Sequence, residues 1–288
     1  MFEGTYTAIV TPFRKDGSVD YERLDALVEM QIEGGVTGIV PVGTTGESPT
    51  LEMNEHLEVI RAVAMRCKGR AKVIAGTGAN STSEAIELTE AVKEMGVDAT
   101  LQVTPYYNKP NQAGLIAHFS AVADLGLPVV LYNVPGRSSR EIAVETIAEL
   151  SKHPQIVCVK EAGGSVDRVS HIRRLCNIEI LSGDDSLTLP MMVVGAVGVI
   201  SVATNVAPEP VSAMVADALA GRWEDARKIH LKYHRLFCDL FLDTNPIPVK
   251  AALAMMGRIE EVYRLPLCPM SDALKKKLAD CLREVNLI

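Results

Sequence analysis

The sequence predicts an α/β protein, a (β/α)8 TIM barrel over residues 1–221 followed by a C-terminal three-helix appendage over 222–288. Three observations carry that expectation. Short β-branched runs alternate along the chain with segments whose apolar residues fall at helical spacing, the order that builds a parallel sheet. The Val- and Ile-rich runs among them fit strands covered on both faces. Taken in order they make eight strand–helix units in roughly 220 residues, the number and size that such a barrel requires. The competing architecture is a doubly wound open sheet, which usually carries a glycine-rich nucleotide turn. Gly76-Thr77-Gly78 lacks the third glycine three residues on, so the barrel is preferred.

The first strand is expected over residues 6–10 and is stopped by Thr11-Pro12. Asp16-Gly17 makes a turn, and Asp20 is placed to cap a helix whose Leu24, Leu27 and Val28 share one face, ending at Gly34-Gly35. Strand two (38–42) runs into Gly43-Thr44-Thr45-Gly46-Glu47-Ser48, and a helix follows Asn54 with Leu57, Ile60, Ala64 and Cys67 in register. Strand three (72–75) leads to Ser81-Thr82-Ser83-Glu84, which has the form of a capping box, and to a helix stopped by Gly96. Strand four (99–104) precedes Pro105-Tyr106-Tyr107-Asn108-Lys109-Pro110 and a helix over 114–125. Strand five (128–133) turns away at Val134-Pro135-Gly136-Arg137 before a helix over 144–150. Strand six (155–160) ends on Lys160, and Gly163-Gly164 redirects the chain into a helix over 166–175. Strands over 179–182 and 198–201, a helix near 187–194 and another after Pro208-Glu209-Pro210 complete the barrel. Beyond Gly221 strand signals cease, and 223–241, 246–256 and 272–284 read as helices.

Composition narrows the function. With 48% hydrophobic residues and a formal net charge of −7, the chain has no basic stripe for nucleic acid or an anionic membrane. No apolar run approaches the roughly 20 residues that span a bilayer. Met1-Phe2-Glu3-Gly4 lacks the basic-then-apolar pattern of a secretory leader, so a cytoplasmic protein is expected. The six cysteines are scattered with no C-x-x-C pair and are expected to be packed thiols, Cys158 among them.

Lysine is seldom buried, so Lys160 at the end of a core strand calls for a reason. Either it snorkels to solvent or pairs with Glu161, or it is a desolvated amine that attacks a carbonyl to form a Schiff base. In a barrel the strand C-termini share one mouth. There Lys160 is joined by Thr44 and Thr45 after strand two, Tyr106 and Tyr107 after four, Tyr132 at the end of five, and Arg137 just beyond. Singly these are turn formers, core rings or surface charges; together, an amine, phenols, hydroxyls and a guanidinium at one mouth indicate a site. The amine must shed its proton to react, a phenol can shuttle protons as carbinolamine becomes imine, and threonine hydroxyls can extend the relay.

The histidines do not favour a metal. His56, His118, His153, His171, His230 and His234 fall in or beside helices, away from strand C-termini. His230 and His234 lie four apart, but the residues between them lack the glutamate of a zincin motif. Asp184-Asp185 is more simply the cap of the helix that Ser186 opens.

The motifs 43–48, 104–110, 132–137 and Val159-Lys160-Glu161-Ala162, in that order and with Asn245-Pro246-Ile247-Pro248-Val249-Lys250 in the tail, resemble the dihydrodipicolinate synthase family of pyruvate-dependent class I aldolases over essentially the whole chain. The resemblance implies a Schiff base between Lys160 and pyruvate, then addition of its enamine to L-aspartate 4-semialdehyde, in the synthesis of lysine and diaminopimelate, with no cofactor or metal. It implies a proton relay of Tyr132, Thr44 and Tyr107, the last supplied by a neighbouring subunit of a homotetramer built from tight dimers. It implies that Thr45 holds the pyruvate carboxylate, that the Ile200 main-chain carbonyl faces the reacting centre, and that Arg137 takes the semialdehyde carboxylate, a task suited to a planar bidentate donor.

The resemblance further implies a feedback site for L-lysine at Ser48, His56, Asn80, Glu84 and Tyr106, with Met53 standing where regulated members often have histidine. Glu84 also has a structural alternative, as capping-box partner of Ser81. Two other functions compete. A sister aldolase acting on N-acetylneuraminate or a 2-keto-3-deoxy sugar acid would use the same lysine and tyrosine, but usually alters one of Thr44, Thr45, Tyr107 and Arg137. A non-catalytic binding barrel would be expected to have lost part of the set Lys160, Tyr132 and Thr44.

Overall fold

The computed structural model describes residues 2–288; Met1, first residue of the segment read for a leader, lies outside them. Eight parallel strands close on themselves in sequence order: β1 (Gly4–Ala8), β2 (Gly38–Val40), β3 (Lys72–Gly76), β4 (Ala99–Val103), β5 (Val129–Asn133), β6 (Ile156–Glu161), β7 (Glu179–Ser182) and β8 (Gly198–Ser201). The seam between β8 and β1 is drawn tight by two glycines, since a Cβ on Gly198 would lie 1.9 Å from the Gly4 carbonyl oxygen. Around the barrel run α1 (Tyr21–Glu33), α2 (Met53–Cys67), α3 (Thr82–Val92), α4 (Gln112–Ala123), the single turn α5 (Pro135–Ser138), α6 (Val144–Leu150), α7 (Val166–Leu175), α8 (Thr188–Val193) and α9 (Pro208–Leu219). The chain ends in α10 (Trp223–Asp239), α11 (Ile247–Met255) and α12 (Asp272–Glu284). Among the described residues no helix is long and apolar enough to cross a membrane.

Side chains alternate across each strand, so a strand can serve two cores. Tyr6, Val40, Val130, Tyr132, Cys158 and Ile200 form one buried cluster, while Val129, Leu131, Val159 and Val199 join a second that extends into the helices. Leu236, Phe237, Val249, Leu253, Leu278 and Leu282 of the last three helices belong to that same second cluster. Helix α11 is buried from Ile247 through Leu253, which is why its sequence is apolar on every side but for Lys250.

Several boundaries differ from the sequence expectation for local reasons. β1 begins two residues early, where Gly4 and Thr5 pair with Gly198 and Val199, and ends two residues early, where the Val10 N–H donates to Asn205 Oδ1 (3.1 Å). β2 stops at Val40, and Val42 sits at φ 55°, a left-handed conformation that is costly for a β-branched side chain. α2 starts at Met53, so Asn54 lies inside the helix; the Glu55 carboxylate reaches back to the Glu52 N–H at 3.4 Å. The capping box expected at Ser81–Glu84 does not form: Ser81 Oγ bonds Ser83 Oγ at 2.9 Å, and Glu84 is left for another use. Asp184-Asp185 does not cap a helix by its side chains either. Asp185 is buried and turns to the loop after β8, accepting from Ser201 Oγ and from the N–H groups of Val202 (3.1 Å) and Ala203 (3.0 Å).

Candidate active site

Register between β5 and β6 builds the centre of the mouth. Tyr132 is directly opposite Lys160 and Asn133 opposite Glu161, so successive residues send their side chains to opposite faces. Lys160 and Tyr132 face inward; the lysine is 6% exposed, and its Nζ lies 4.2 Å from the centroid of the Tyr132 ring. Glu161 faces outward and is fully buried, where it accepts from Asn133 Nδ2 (2.8 Å), Gly163 N (2.8 Å) and Arg168 Nε (3.1 Å). Burial raises the Glu161 pKa, and the Arg168 charge and these donors pull against it. The two bland explanations of Lys160 therefore do not hold: it neither snorkels to solvent nor pairs with Glu161. Burial raises the Asp184 pKa, and the Lys160 charge opposes that rise.

A cavity of about 210 Å³ opens beside Tyr132 and is walled also by Thr44, Val103, Tyr106, Val134 and Arg137. Thr44 and Arg137 thus share a space with the tyrosine that covers Lys160. Thr45 is buried next to Thr44, and its Oγ1 accepts from Asn245 Nδ2 at 3.0 Å. The Arg137 Nη2 donates to the Asn245 carbonyl at 2.9 Å. Ile200 of β8 is buried in the same interior cluster as Tyr132. Tyr107 does not join them within its own chain; it is 92% exposed and held at φ 72°. Five of the non-glycine residues at positive φ, Val42, Glu47, Tyr107, Lys109 and Ser139, lie in the loops after β2, β4 and β5, concentrating backbone strain at this end of the barrel.

A second cavity of about 190 Å³ adjoins the first, the two sharing Ser48, Pro49, Gly78 and Tyr106. Ser48, His56, Glu84 and Tyr106 meet here, with Met53 on the same wall. Asn80 stands outside it, its Nδ2 bonded to the Tyr106 carbonyl at 3.3 Å. His56 lies 2.7 Å from the Gly76 carbonyl through Nε2, which makes that nitrogen the donor; burial lowers its pKa. Burial and the Glu84 charge together raise the pKa of Tyr106.

Sequence reasoning missed a buried ion pair. Glu47, at φ 56° in the loop that carries Thr44 and Thr45, bonds Lys250 of α11; both side chains are fully buried, and the Lys250 Nζ is 4.2 Å from the Phe13 ring centroid. Its signal was the run 245–250, visible as a motif but without an assigned task. His230 and His234 have ring centroids 5.4 Å apart on α10, far along the chain from this mouth, and among the described residues no group of three or more His, Cys, Asp or Glu side chains could hold a metal.

The chain is similar over its whole length to proteins of one family. The chain is 52% identical over 291 residues to the 4-hydroxy-tetrahydrodipicolinate synthase of Geotalea uraniireducens, covering all of both chains. It superposes with a TM-score of 0.98 on the structure of the 4-hydroxy-tetrahydrodipicolinate synthase from Methylacidiphilum fumariolicum SolV, at 51% identity over 99% of this chain and 96% of that one. With 41% identity and a TM-score of 0.96, over 100% of this chain and 99% of that one, it matches a Cyanidioschyzon merolae enzyme of the same type whose crystal contains lysine. Residues 1–285 match the family model described as the dihydrodipicolinate synthetase family, and the chain belongs to that family.

Proposed function

We infer that the protein is a Schiff-base lyase that condenses pyruvate with L-aspartate 4-semialdehyde to give 4-hydroxy-tetrahydrodipicolinate, on the route to diaminopimelate and lysine. The observation that carries the reading is a buried amine, Lys160, 4.2 Å from the ring of a tyrosine on the wall of a cavity that also presents Thr44 and Arg137.

In this reading the Lys160 amine adds to the keto carbon of pyruvate, and the carbinolamine loses water as Tyr132 passes a proton to the departing hydroxyl. Loss of a methyl proton turns the imine into an enamine, whose carbon attacks the aldehyde carbon of the second substrate. The resulting alkoxide takes up a proton through Tyr132, Thr44 and Tyr107. The substrate amine then adds to the imine carbon, expels the Lys160 amine and closes the ring. Thr45 binds the pyruvate carboxylate, the Ile200 carbonyl faces the reacting carbon, and Arg137 receives the semialdehyde carboxylate. The covalent chemistry resides in the Lys160 imine, and the reading calls on no cofactor or metal.

Tyr107 serves a neighbouring protomer in a homotetramer made of two tight dimers; its exposure supports that assignment, as does a lining of its own cavity that includes Tyr106 and not Tyr107. The adjoining cavity takes L-lysine as feedback effector, with Glu84 for an ammonium group and Ser48, His56, Asn80 and Tyr106 around it. Residues 1–221 form the catalytic barrel and 222–288 a helical unit that completes its core. The cytoplasm suits a chain whose six cysteines are all free.

The test is to treat the protein with pyruvate and borohydride, locate the adduct by mass spectrometry, and assay the same preparation with aspartate 4-semialdehyde. An adduct on Lys160 together with cyclic product is expected. Release of pyruvate from N-acetylneuraminate at a rate rivalling condensation would overturn the choice of substrate.

A further inference from the structure

Asn245 stands where two otherwise separate parts of the site meet. Its side-chain amide donates to Thr45 Oγ1 at 3.0 Å, and its main-chain carbonyl accepts from Arg137 Nη2 at 2.9 Å. The residue is 200 positions from Thr45 and 108 from Arg137, so only the docking of the C-terminal segment brings the three together. That segment is pinned to the same loop a second time, by the buried pair of Lys250 with Glu47. The Asn245 side chain is buried, and its Oδ1 has no partner among the described residues. A buried acceptor left unpaired is costly and calls for a reason beyond packing.

A hydroxyl has one hydrogen to give and two lone pairs to receive with. The Asn245 amide fills one lone pair of Thr45 Oγ1 and leaves the hydrogen uncommitted. We propose that Asn245 is a positioning residue for the condensation, its side chain orienting the Thr45 hydroxyl to donate to the pyruvate carboxylate while its main chain holds Arg137 at the spacing that the second carboxylate needs. The proposal rests on the assignment of Thr45 and Arg137 to the two substrate carboxylates.

The two halves of the role separate by experiment, because a side-chain substitution removes the contact to Thr45 and keeps the carbonyl that meets Arg137. Asn245→Ala is expected to raise the KM for pyruvate, and the pyruvate concentration needed for half-maximal borohydride trapping, by about tenfold, the order of one lost hydrogen bond. The KM for the semialdehyde should stay within about twofold, since uniform binding is lost on one substrate only. Asn245→Asp, nearly isosteric, cannot donate and instead takes the Thr45 hydrogen, so it should weaken pyruvate trapping at least as much. In a Thr45→Val background, Asn245→Ala should add little, because the two act as one unit.

Three results count against the proposal. If Asn245→Ala and Asn245→Asp raise both KM values and lower kcat together, the residue is merely structural. If neither moves the pyruvate parameters while Thr45→Val does, Asn245 has no part in orienting the hydroxyl. If Thr45→Val leaves pyruvate trapping unchanged, the carboxylate assignment itself fails, and the role of Asn245 falls with it for a distinguishable reason.

Discussion

Lys160 and Tyr132 are cross-strand partners, and the lysine Nζ rests 4.2 Å from the tyrosine ring centroid inside the barrel. The pairing follows from β5–β6 register, and a slip of one residue would exchange Lys160 for Glu161 on the inner face. Replacing Lys160 by alanine should abolish the borohydride-dependent pyruvate adduct and cut kcat by at least about 10³-fold, as loss of a covalent nucleophile does. Tyr132→Phe should keep the adduct but slow turnover by about 10²-fold, the scale of general acid–base assistance. Mass spectrometry and steady-state rates on the two variants decide it; an intact adduct in Lys160→Ala means another lysine reacts.

Tyr107 provides a test in trans. Tyr107→Phe and Lys160→Ala should each be nearly inactive alone. Coexpressed, they should recover roughly a quarter of wild-type activity, because random pairing makes half the dimers mixed and each mixed dimer has one intact site. Mixed subunits that stay as inactive as either parent would return Tyr107 to its own chain and take the relay apart.

Glu84 is free of the capping duty that its sequence suggested, and it lines the second cavity with Ser48, His56 and Tyr106. Millimolar L-lysine should therefore inhibit the enzyme, and Glu84→Gln should relieve that inhibition by about tenfold or more in lysine concentration, the scale of one lost charged hydrogen bond. Met53→His, which restores a polar side chain to the wall, should tighten it. Rates measured across a lysine titration check both. Activity untouched by lysine would remove the effector.

Glu47 and Lys250 have no solvent to fall back on. Lys250→Met leaves a buried carboxylate without its counter-charge and should cost about 3–5 kcal/mol in denaturant unfolding. Adding Glu47→Gln should return most of that loss, since a neutral pair carries no uncompensated charge. Equal destabilisation of single and double variants would show that the cost is one of packing.

His118 should make stability fall in mild acid. Burial pushes its pKa from the ordinary 6.5 down to about 4, while its Nδ1 is 2.9 Å from Thr82 Oγ1. The unfolded chain then binds a proton that the fold does not between those values. Its contribution is complete above the unfolded pKa and is lost as pH drops from about 6.5 to about 4, to the extent of about 3 kcal/mol. Unfolding free energies of the protein and of His118→Gln across that range should converge as pH falls. A constant difference would mean that the histidine is not buried as a neutral ring.

The eight-strand barrel was legible from the β-branched runs, and several elements, such as α7 and β8, fall where the apolar pattern puts them, because burial on both faces leaves a plain sequence trace. The structure departs from that pattern where side chains override it. The Val10 N–H bonds Asn205, Ser81 bonds Ser83 rather than capping α3, and the Asp185 side chain turns to the loop after β8.

For function, the chain by itself determined which chemical groups stand at the strand ends, Lys160, Tyr132, Thr44 and Arg137, because strand order and the common C-terminal face make that a matter of counting. How those groups are held depends on long-range packing. Contacts between Asn245 and both Thr45 and Arg137, and between Glu47 and Lys250, join segments 108 to 203 residues apart. No local periodicity records such a meeting, since it depends on how the last helices settle onto a closed barrel. The exposed setting of Tyr107 belongs there too, because whether a side chain points into its own cavity depends on loop conformation that residue types alone leave open.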